Sequence, residues 1–319
     1  AAATLIMGLW ANYPFALAPG MGLNAYFTYG VVQGLGVSYP VALAAVFVEG
    51  LLFLALALSG LRGAISRAIP HALKVATSGG IGLFLAIIGF QQAGIIADSP
   101  ATLLTLGVLT QPETLLALGT LVLMGVLLVR RVPGALLLGI LAATATAWLT
   151  GLSPFPERWV QLPGLPRETL AAFDFSTLFT AKLFGVVAAF FCVDFFDTAG
   201  TLRGIGRRTG LTAVVVALLF LLSLFLTPVF TAVPAAATAP ALILVGAFMM
   251  RALAELDWRN HEEAIPAFLT ITAMPFTYSI ANGIAFGLLA HVLLQLLSGR
   301  ARTLHPLLYV LAVLLALYY

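Results

Sequence analysis

Long apolar runs, separated by short polar or glycine- and proline-rich breaks, follow one another along the whole chain. The hydrocarbon core of a bilayer is about 30 Å thick, and a helix of about 20 apolar residues spans it. The pattern therefore predicts an all-α, polytopic membrane helix bundle. The candidate spans are residues 3–17, 20–35, 38–60, 69–90, 113–130, 133–152, 176–200, 209–232, 235–251, 264–280, 282–298 and 304–319.

Proline and glycine break the helical pattern at two places. The first break lies in residues 12–27, and the second divides residues 264–298, a stretch too long for one span. A broken helix leaves backbone N–H groups unpaired at membrane depth, and transporters use such half-helix ends as binding sites. We therefore expect the first break to be either a substrate site or a plain kink. The interrupting residues are Pro14, Pro19, Gly20 and Gly22 in the first break, and Pro266, Pro275 and Gly283 in the second.

Charged residues make up only 8% of the chain, against about a quarter in an ordinary soluble domain. So few charges cannot cover the surface of a soluble protein of this length, and lipid must cover the rest. The 15 lysines and arginines cluster mainly after the odd-numbered spans, whereas the loops near residues 92–112 and 231–236 have none. Because basic loops stay in the cytoplasm, the pattern predicts an orientation. It also makes the lipid bilayer, not nucleic acid, the expected partner.

Three carboxylates fall within apolar spans, where a charged group is expensive. Asp194 and Asp197 are three residues apart and share one helix face, so one of them is expected to carry a proton. This arrangement suits either a proton-coupled carrier or a structural pair. Glu49 lies beside Gly50, which fits either proton coupling or tight helix packing.

No metal-binding pattern is present in the sequence. Cys192 is the one cysteine, so thiolates cannot build a zinc site. The run His261-Glu262-Glu263 lacks the second histidine of a zinc-protease helix. We expect no bound metal and no organic cofactor.

A candidate binding segment follows the first break. Asn24 lies in the first turn after the break, and Ala25, Tyr26 and Phe27 come directly behind it. An amide and aromatic rings suit a flat heterocycle, because such a ligand needs hydrogen bonds at its edge and stacking on its face.

Four stretches together resemble one family. Ala18–Phe27 resembles the signature of the adenine/guanine/hypoxanthine permeases, the AzgA-like branch of the nucleobase:cation symporter-2 superfamily. Phe195–Leu202, Thr238–Gly246 and Met274–Gly287 resemble further family motifs and occur in the family's order. The resemblance implies two inverted seven-helix repeats with a core and a gate domain. It also implies proton-coupled uptake of purine nucleobases by alternating access, with the proton as coupling ion.

The family motifs point to particular residues of this chain. Asp197 aligns best with the acid that hydrogen-bonds the base in relatives, and Asp194 is then the candidate for proton coupling, although the two roles could be exchanged. The expected substrate-binding residues are Asn24, Ala25, Tyr26, Phe27, Asp197 and Thr198, and the expected proton-coupling residues are Asp194, Asp197 and Glu49.

The resemblance also implies an organisation for the chain. We expect a single transporter unit over residues 1–319, in a cell membrane and by the family's example the bacterial inner membrane, with a homodimer as a possible assembly. The expected core domain is residues 1–60 and 176–232, the gate domain 61–152 and 235–298, and the C-terminal helix 299–319.

The sequence departs from the family where two core helices should follow Leu202. Here Gly206, which opens the next family motif, comes almost at once. The ninth and tenth family helices are therefore expected to be absent, together with a glutamate that would face the purine. The first family helix, which precedes residue 1 in family members, is expected to be absent too. The alternative function is a truncated remnant that binds without transporting. An intramembrane enzyme is a remote third hypothesis, because paired catalytic aspartates need facing helices, so we expect no enzyme.

Overall fold

The computed structural model of the chain describes most of the sequence. The described residues are 1–20, 23–24, 26–60, 68–164, 169, 171–176, 180, 183, 185–187, 190–191, 194, 210–301 and 304–318.

Helices account for nearly all regular structure in this part of the chain, because lipid leaves the backbone no partner but itself. The α-helices are α1 (Ala2–Leu9), α2 (Tyr39–Leu58), α3 (His71–Gln92), α4 (Pro112–Val129), α5 (Ala135–Leu149), α6 (Leu211–Phe225), α7 (Thr227–Thr231), α8 (Ala235–Met249), α9 (His261–Phe276), α10 (Ile280–Leu297) and α11 (Pro306–Tyr318). A π-helix covers Tyr26–Gly34, a 3-10 helix covers Met250–Glu255, and two strands, β1 (Ile96–Ser99) and β2 (Leu103–Leu106), pair as a hairpin.

The predicted membrane fold is confirmed. Within the described residues, five helical stretches are long and apolar enough to cross a bilayer: Tyr39–Leu58, His71–Gln92, Pro112–Val129, Ala235–Glu255 and Ile280–Leu297. Two further apolar helices, α5 and α6, have 15 residues each. The described residues between 183 and 194 are also helical.

Two predicted spans are shorter in the structure than in the sequence pattern. The span over residues 3–17 is helical only to Leu9, because Asn12 has a φ of 53° and prolines follow at positions 14 and 19, so residues 13–20 form neither helix nor strand. The span over residues 209–232 divides at Leu226, where α6 gives way to α7. Pro228 has no N–H for the Leu224 carbonyl, and the Thr227 hydroxyl donates to that carbonyl at 2.7 Å instead.

The β1–β2 hairpin was not predicted. Its antiparallel register pairs Ile96 with Leu106 and Ser99 with Leu103. Each strand has only four residues, which is too short for the alternation that identifies a strand in a sequence. The hairpin occupies the predicted outer loop between α3 and α4.

The chain forms two compact units, the first made of residues 1–19, 85–165 and 205–245, and the second of residues 20–84, 166–204 and 246–319. The core and gate domains are a functional division, and they stay a prediction.

In the first unit, α1 crosses α6 at a pair of glycines. A Cβ atom on Gly8 would lie 2.8 Å from the carbonyl oxygen of Gly210, so only glycine permits this approach. At the other end of α6 and α7, the Ala232 carbonyl accepts hydrogen bonds from Trp148 at 3.3 Å and from Ser153 at 3.2 Å. These contacts join the end of α5 and the loop after it to the loop near residues 231–236, which the charge pattern assigns to the outer side.

In the second unit, α9 and α10 form a helical hairpin. Its turn at residues 277–279 confirms the predicted division into two helices, but the residues expected to interrupt the stretch do not, since Pro266 and Pro275 lie inside α9 and Gly283 lies inside α10. At the turn, Tyr278 has a φ of 51°, and the Ser279 hydroxyl accepts a hydrogen bond from the backbone N–H of Asn282 at 3.3 Å. Gly283 and Gly287 of α10 lie directly against α9, where any Cβ would collide with it.

Candidate functional site

Glu49 lies on the buried face of α2. Ala42 and Ala45 precede it at helical spacing on that face, and both are fully buried. Only 6% of Glu49 is exposed, and among the described residues its Oε1 has no hydrogen-bond partner. An unsatisfied buried polar atom costs about 1–3 kcal/mol.

Asp194, one of the described helical residues between 183 and 194, lies near Glu49. Their carboxyl groups are close enough to interact electrostatically. Ring packing explains this approach: Phe53 of α2 contacts Phe191 with centroids 6.1 Å apart. Phe53 is one turn from Glu49, and Phe191 is nearly one turn from Asp194, so the two rings bring the two acids together.

An aromatic cluster, which consists of Tyr26, Phe27, Tyr39 and Phe190, lies one turn from Asp194. The Phe190 ring meets Tyr26 edge-on at 5.2 Å and Phe27 at 6.3 Å, and Phe27 meets Tyr39 at 5.5 Å. Tyr26 is 3% exposed and Phe190 2%, whereas Phe27 is half-buried. Tyr39, at the edge of the cluster, is 44% exposed, and of the two rings that contact Phe190, Phe27 is therefore the more accessible to a ligand.

The π-helix gives the cluster its shape. A Cβ on Gly30 would lie 2.7 Å from the Tyr26 ring, so the glycine lets this ring fold back along its own helix. The wide turn continues with a hydrogen bond from the Leu35 N–H to the Gly30 carbonyl at 3.0 Å. π-Helical turns occur frequently at functional sites, which agrees with the broken-helix prediction for this segment.

The extended backbone before the π-helix belongs to the first unit, where Thr4 holds it. The Thr4 hydroxyl donates to the Leu17 carbonyl at 3.0 Å and accepts from the Leu17 N–H at 3.1 Å. Thr4 is fully buried. The Thr4 side chain thus supplies the hydrogen bonds that a neighbouring strand would otherwise give to this non-helical backbone.

A polar contact outside the spans fixes the segment that packs on the start of α2. The Ser176 hydroxyl and backbone N–H hydrogen-bond to the Asp174 carboxylate, which lowers the pKa of Asp174 below its usual value. The Asp174 N–H donates to the Pro40 carbonyl at 3.2 Å, and the neighbouring Phe173 packs on Phe47 with centroids 4.7 Å apart.

The structure brings some of the predicted residues together. Glu49 and Asp194 form a carboxyl pair, Phe27 belongs to the adjacent cluster, and Asn24 is exposed, with its N–H donating to the Gly20 carbonyl at 3.0 Å. Tyr26 is likewise in the cluster, while Ala25, Asp197 and Thr198 lie outside the described residues. The functional roles of all these residues stay predictions.

Sequence reasoning missed Phe190 and Tyr39. Phe190 was detectable, because it precedes Asp194 by four residues and therefore shares its helix face. Tyr39 was not, because its contact with Phe27 depends on how α2 packs against the π-helix.

Comparisons with known proteins identify the family. A family model for xanthine/uracil permeases, described as Permease family, matches residues 1–208 and 203–286. A putative permease of Methanocaldococcus jannaschii is 44% identical over 99% of this chain and 84% of its own length. The guanine/hypoxanthine permease PbuO of Bacillus subtilis is 38% identical, over 98% of this chain and 85% of its length. The adenine permease AdeP of Escherichia coli is 34% identical, over 98% of this chain and 82% of its own length.

The alignments also bear on the helices expected to be absent after Leu202. The alignment with the Methanocaldococcus jannaschii relative runs over 367 positions and this chain has 319 residues, so at least 48 positions (367 less 319) have no counterpart here. The family match divides at residues 203–208, which agrees with an internal gap at the predicted place. With matches this extensive, the chain belongs to the xanthine/uracil permease family and is a multi-pass transporter of the cell membrane, not an enzyme.

Proposed function

We propose that this chain carries purine nucleobases (adenine, guanine or hypoxanthine) across the cell membrane together with protons. The substrate class rests on relatives named as guanine/hypoxanthine and adenine permeases. The coupling ion rests on one observation above all, the buried Glu49 carboxyl that lies near Asp194 and has an oxygen without a partner among the described residues. Such a group, within an apolar span, has a functional explanation more readily than a structural one.

The residues beside the carboxyl pair suit a purine. The Asn24 amide can both donate and accept at the edge of a heterocycle, and the half-buried Phe27 ring can stack on its face. Asp197 would accept a hydrogen bond from a purine N–H. The aromatic cluster links this binding segment to the acids, because Phe190 contacts Phe27 and lies one turn from Asp194.

Coupling follows from the cost of burying charge. With both acids ionised, the Glu49–Asp194 pair repels itself in a medium of low polarity. A proton removes one charge, so the loaded site can pass the membrane interior during alternating access. Purine and proton would then move in the same direction.

A second candidate function, a remnant that binds purine without transporting it, is favoured by the internal gap. The missing positions fall where the family has the inverted-repeat mate of the helix that carries Asn24. Without that mate, the binding segment has lost one side of its site.

The test is uptake of radiolabelled hypoxanthine and adenine in cells that lack their own purine uptake. Two chains are compared, the 319-residue chain and one with the family's two helices restored between Leu202 and Gly206. Uptake that collapses with a protonophore and with Asp197→Ala supports the proposal.

The outcomes separate the two candidates. Uptake by the restored chain alone identifies the present chain as a remnant, which equilibrium binding of hypoxanthine then checks. Uptake by both shows that the gap is tolerated. No uptake by either, with both chains folded in the membrane, contradicts purine transport.

A further inference from the structure

Helices α4 and α5 of the first unit enclose a groove on one side of their contact. They touch where Met124 packs against Gly139, near the loop that joins them. Towards the other ends of the two helices lies an open groove of about 680 Å³. Its lining residues are Pro112, Leu115, Leu116, Gly119, Thr120 and Leu123 from α4, with residues 142, 143, 146, 150 and 152 opposite.

The groove presents hydrocarbon although three threonines line it. Thr120 donates to the Leu116 carbonyl at 2.7 Å, and Thr146 to the Ala142 carbonyl at 2.9 Å. Thr150 donates to the carbonyl of Thr146 at 2.8 Å. Each hydroxyl is therefore used by its own helix. A nucleobase would lose its hydrogen bonds to water here and gain few in return, whereas a hydrocarbon chain loses none.

The dimensions of the groove match one leaflet of a bilayer. From Pro112 to Leu123 the helix rises about 16 Å, and half of the hydrocarbon core is about 15 Å thick. Pro112 follows the loop near residues 92–112, which has no lysine or arginine and is predicted to be outside. The groove therefore runs through the outer leaflet, with its mouth at the outer surface.

We propose that this groove holds one acyl chain of an outer-leaflet phospholipid with an amino-bearing, zwitterionic headgroup, of the phosphatidylethanolamine type. The exposed Glu113 carboxylate at the mouth complements an ammonium group and repels an anionic headgroup. A second copy of the chain fits less well. A two-fold axis that passes through the groove itself would set groove against groove and leave a void between the copies.

Two glycines of α4 give a matched test. A Cβ atom on Gly119 or on Gly125 would meet nothing within 4 Å, so both positions accept a larger side chain. They lie about 120° apart around the helix, and Gly119 lines the groove whereas Gly125 does not. Gly119→Phe fills the groove, and Gly125→Phe adds the same side chain elsewhere on the helix. Gly119→Leu is the milder second variant.

The three variants and the parent chain are purified in mild detergent, incubated with dioleoyl phosphatidylethanolamine, and examined by native mass spectrometry. We expect the parent and Gly125→Phe to retain one more lipid than Gly119→Phe and Gly119→Leu. We also expect dioleoyl phosphatidylglycerol to be retained more weakly than phosphatidylethanolamine by the parent. Melting temperatures check that all variants fold.

Equal lipid retention by all variants overturns the proposal, and so does equal loss from Gly119→Phe and Gly125→Phe. A change from dimer to monomer in Gly119→Phe without a change in bound lipid assigns the groove to a second copy instead. Equal retention of the two lipids overturns the assigned headgroup. None of these results depends on purine uptake, so this inference and the proposed function fail separately.

Discussion

Glu262 and Glu49 belong to the same compact unit, yet their surroundings are opposite. Glu262, in the first turn of α9, accepts a hydrogen bond from Arg300 at 2.6 Å and another from Gln295 at 3.1 Å. Its own N–H donates to the Asn260 side chain at 3.2 Å, which caps the helix. Glu49 is 6% exposed and has an oxygen without a partner among the described residues.

The backbone around Glu262 completes that contrast. Pro266 has no N–H to pair with the Glu262 carbonyl, and the buried His291 of α10 lies beside this carbonyl. Glu262 therefore ties α9 to α10 through its side chain. A fully partnered acid at a helix N-terminus is explained by stability. Glu49 has no such set of partners among the described residues, and its role in proton coupling stays a prediction that this contrast can test.

The substitution that tests the comparison most severely is Glu49→Gln. We expect proton-driven purine accumulation to fall roughly 100-fold, since a proton-transfer group is lost. Exchange of labelled for unlabelled purine at equal pH should persist, because exchange moves no net proton. The melting temperature should stay or rise, since an amide costs less to bury than a carboxylate. Proton-driven accumulation and exchange are both measured in proteoliposomes that contain whichever chain takes up purine.

Glu157→Gln is the matched control, because it makes the same change at an exposed position outside the helices. It should leave accumulation and exchange unchanged. A Glu49→Gln protein that accumulates purine normally but melts lower would show that Glu49 is structural, as Glu262 is.

A smaller effect is expected from Phe190→Leu. Leucine keeps most of the volume, so we expect a loss of about 1 kcal/mol of stability, but it removes the ring that contacts Tyr26 and Phe27. If this ring positions the binding segment, the KM for purine should rise several-fold while kcat changes little. Initial rates of uptake at varied purine concentration separate the two constants.

Phe84→Leu controls for packing alone. Phe84 is equally buried in the same unit and also meets a tyrosine edge-on, Tyr278, at 5.7 Å. It should lose similar stability without a change in KM. An equal rise in KM in both variants would show that Phe190 contributes packing and does not position the binding segment.

How far the sequence predicted this structure depends on the range of the interactions involved. The spans were predictable, since lipid requires long apolar runs and internal hydrogen bonds. The break near Pro14 was predictable too, because proline acts locally, although α1 ends earlier than expected, at Leu9. The division of residues 264–298 was predictable from its length, but its place at Tyr278 was not, since Pro275 lies inside α9. The β1–β2 hairpin was not predictable, because its strands are short and their pairing depends on tertiary contacts.

The same distinction applies to the candidate site. Glu49 and Asp194 were identified one by one, as acids in apolar runs, but their proximity required the packing of Phe53 on Phe191. The unpartnered oxygen of Glu49 could not be predicted either, since it depends on every neighbour of α2. The sequence shows which residues carry acidic groups, but it does not show which of these residues are in contact.

On the Glu262 side, Glu262→Ala should affect stability and not transport. It leaves Gln295, which is 9% exposed, without its acceptor. A buried donor that loses its partner costs about 1–3 kcal/mol. Thermal unfolding in detergent should show this loss, while the uptake per folded molecule should equal that of the parent. Reduced uptake at normal folded amount would give Glu262 a role in transport and remove the contrast with Glu49.

Arg300→Ala should have the smallest effect, although it removes the shortest contact of Glu262. The Arg300 side chain is 60% exposed and that of Glu262 is 32% exposed, so water and salt screen their ion pair, and such pairs contribute about 0–1 kcal/mol. Screening makes the prediction specific: the difference in melting temperature from the parent should shrink further at 1 M salt, where the Debye length is about 3 Å. A loss as large as that of Glu262→Ala, unchanged by salt, would mean that Arg300 rather than Gln295 holds Glu262 and the α9–α10 hairpin together.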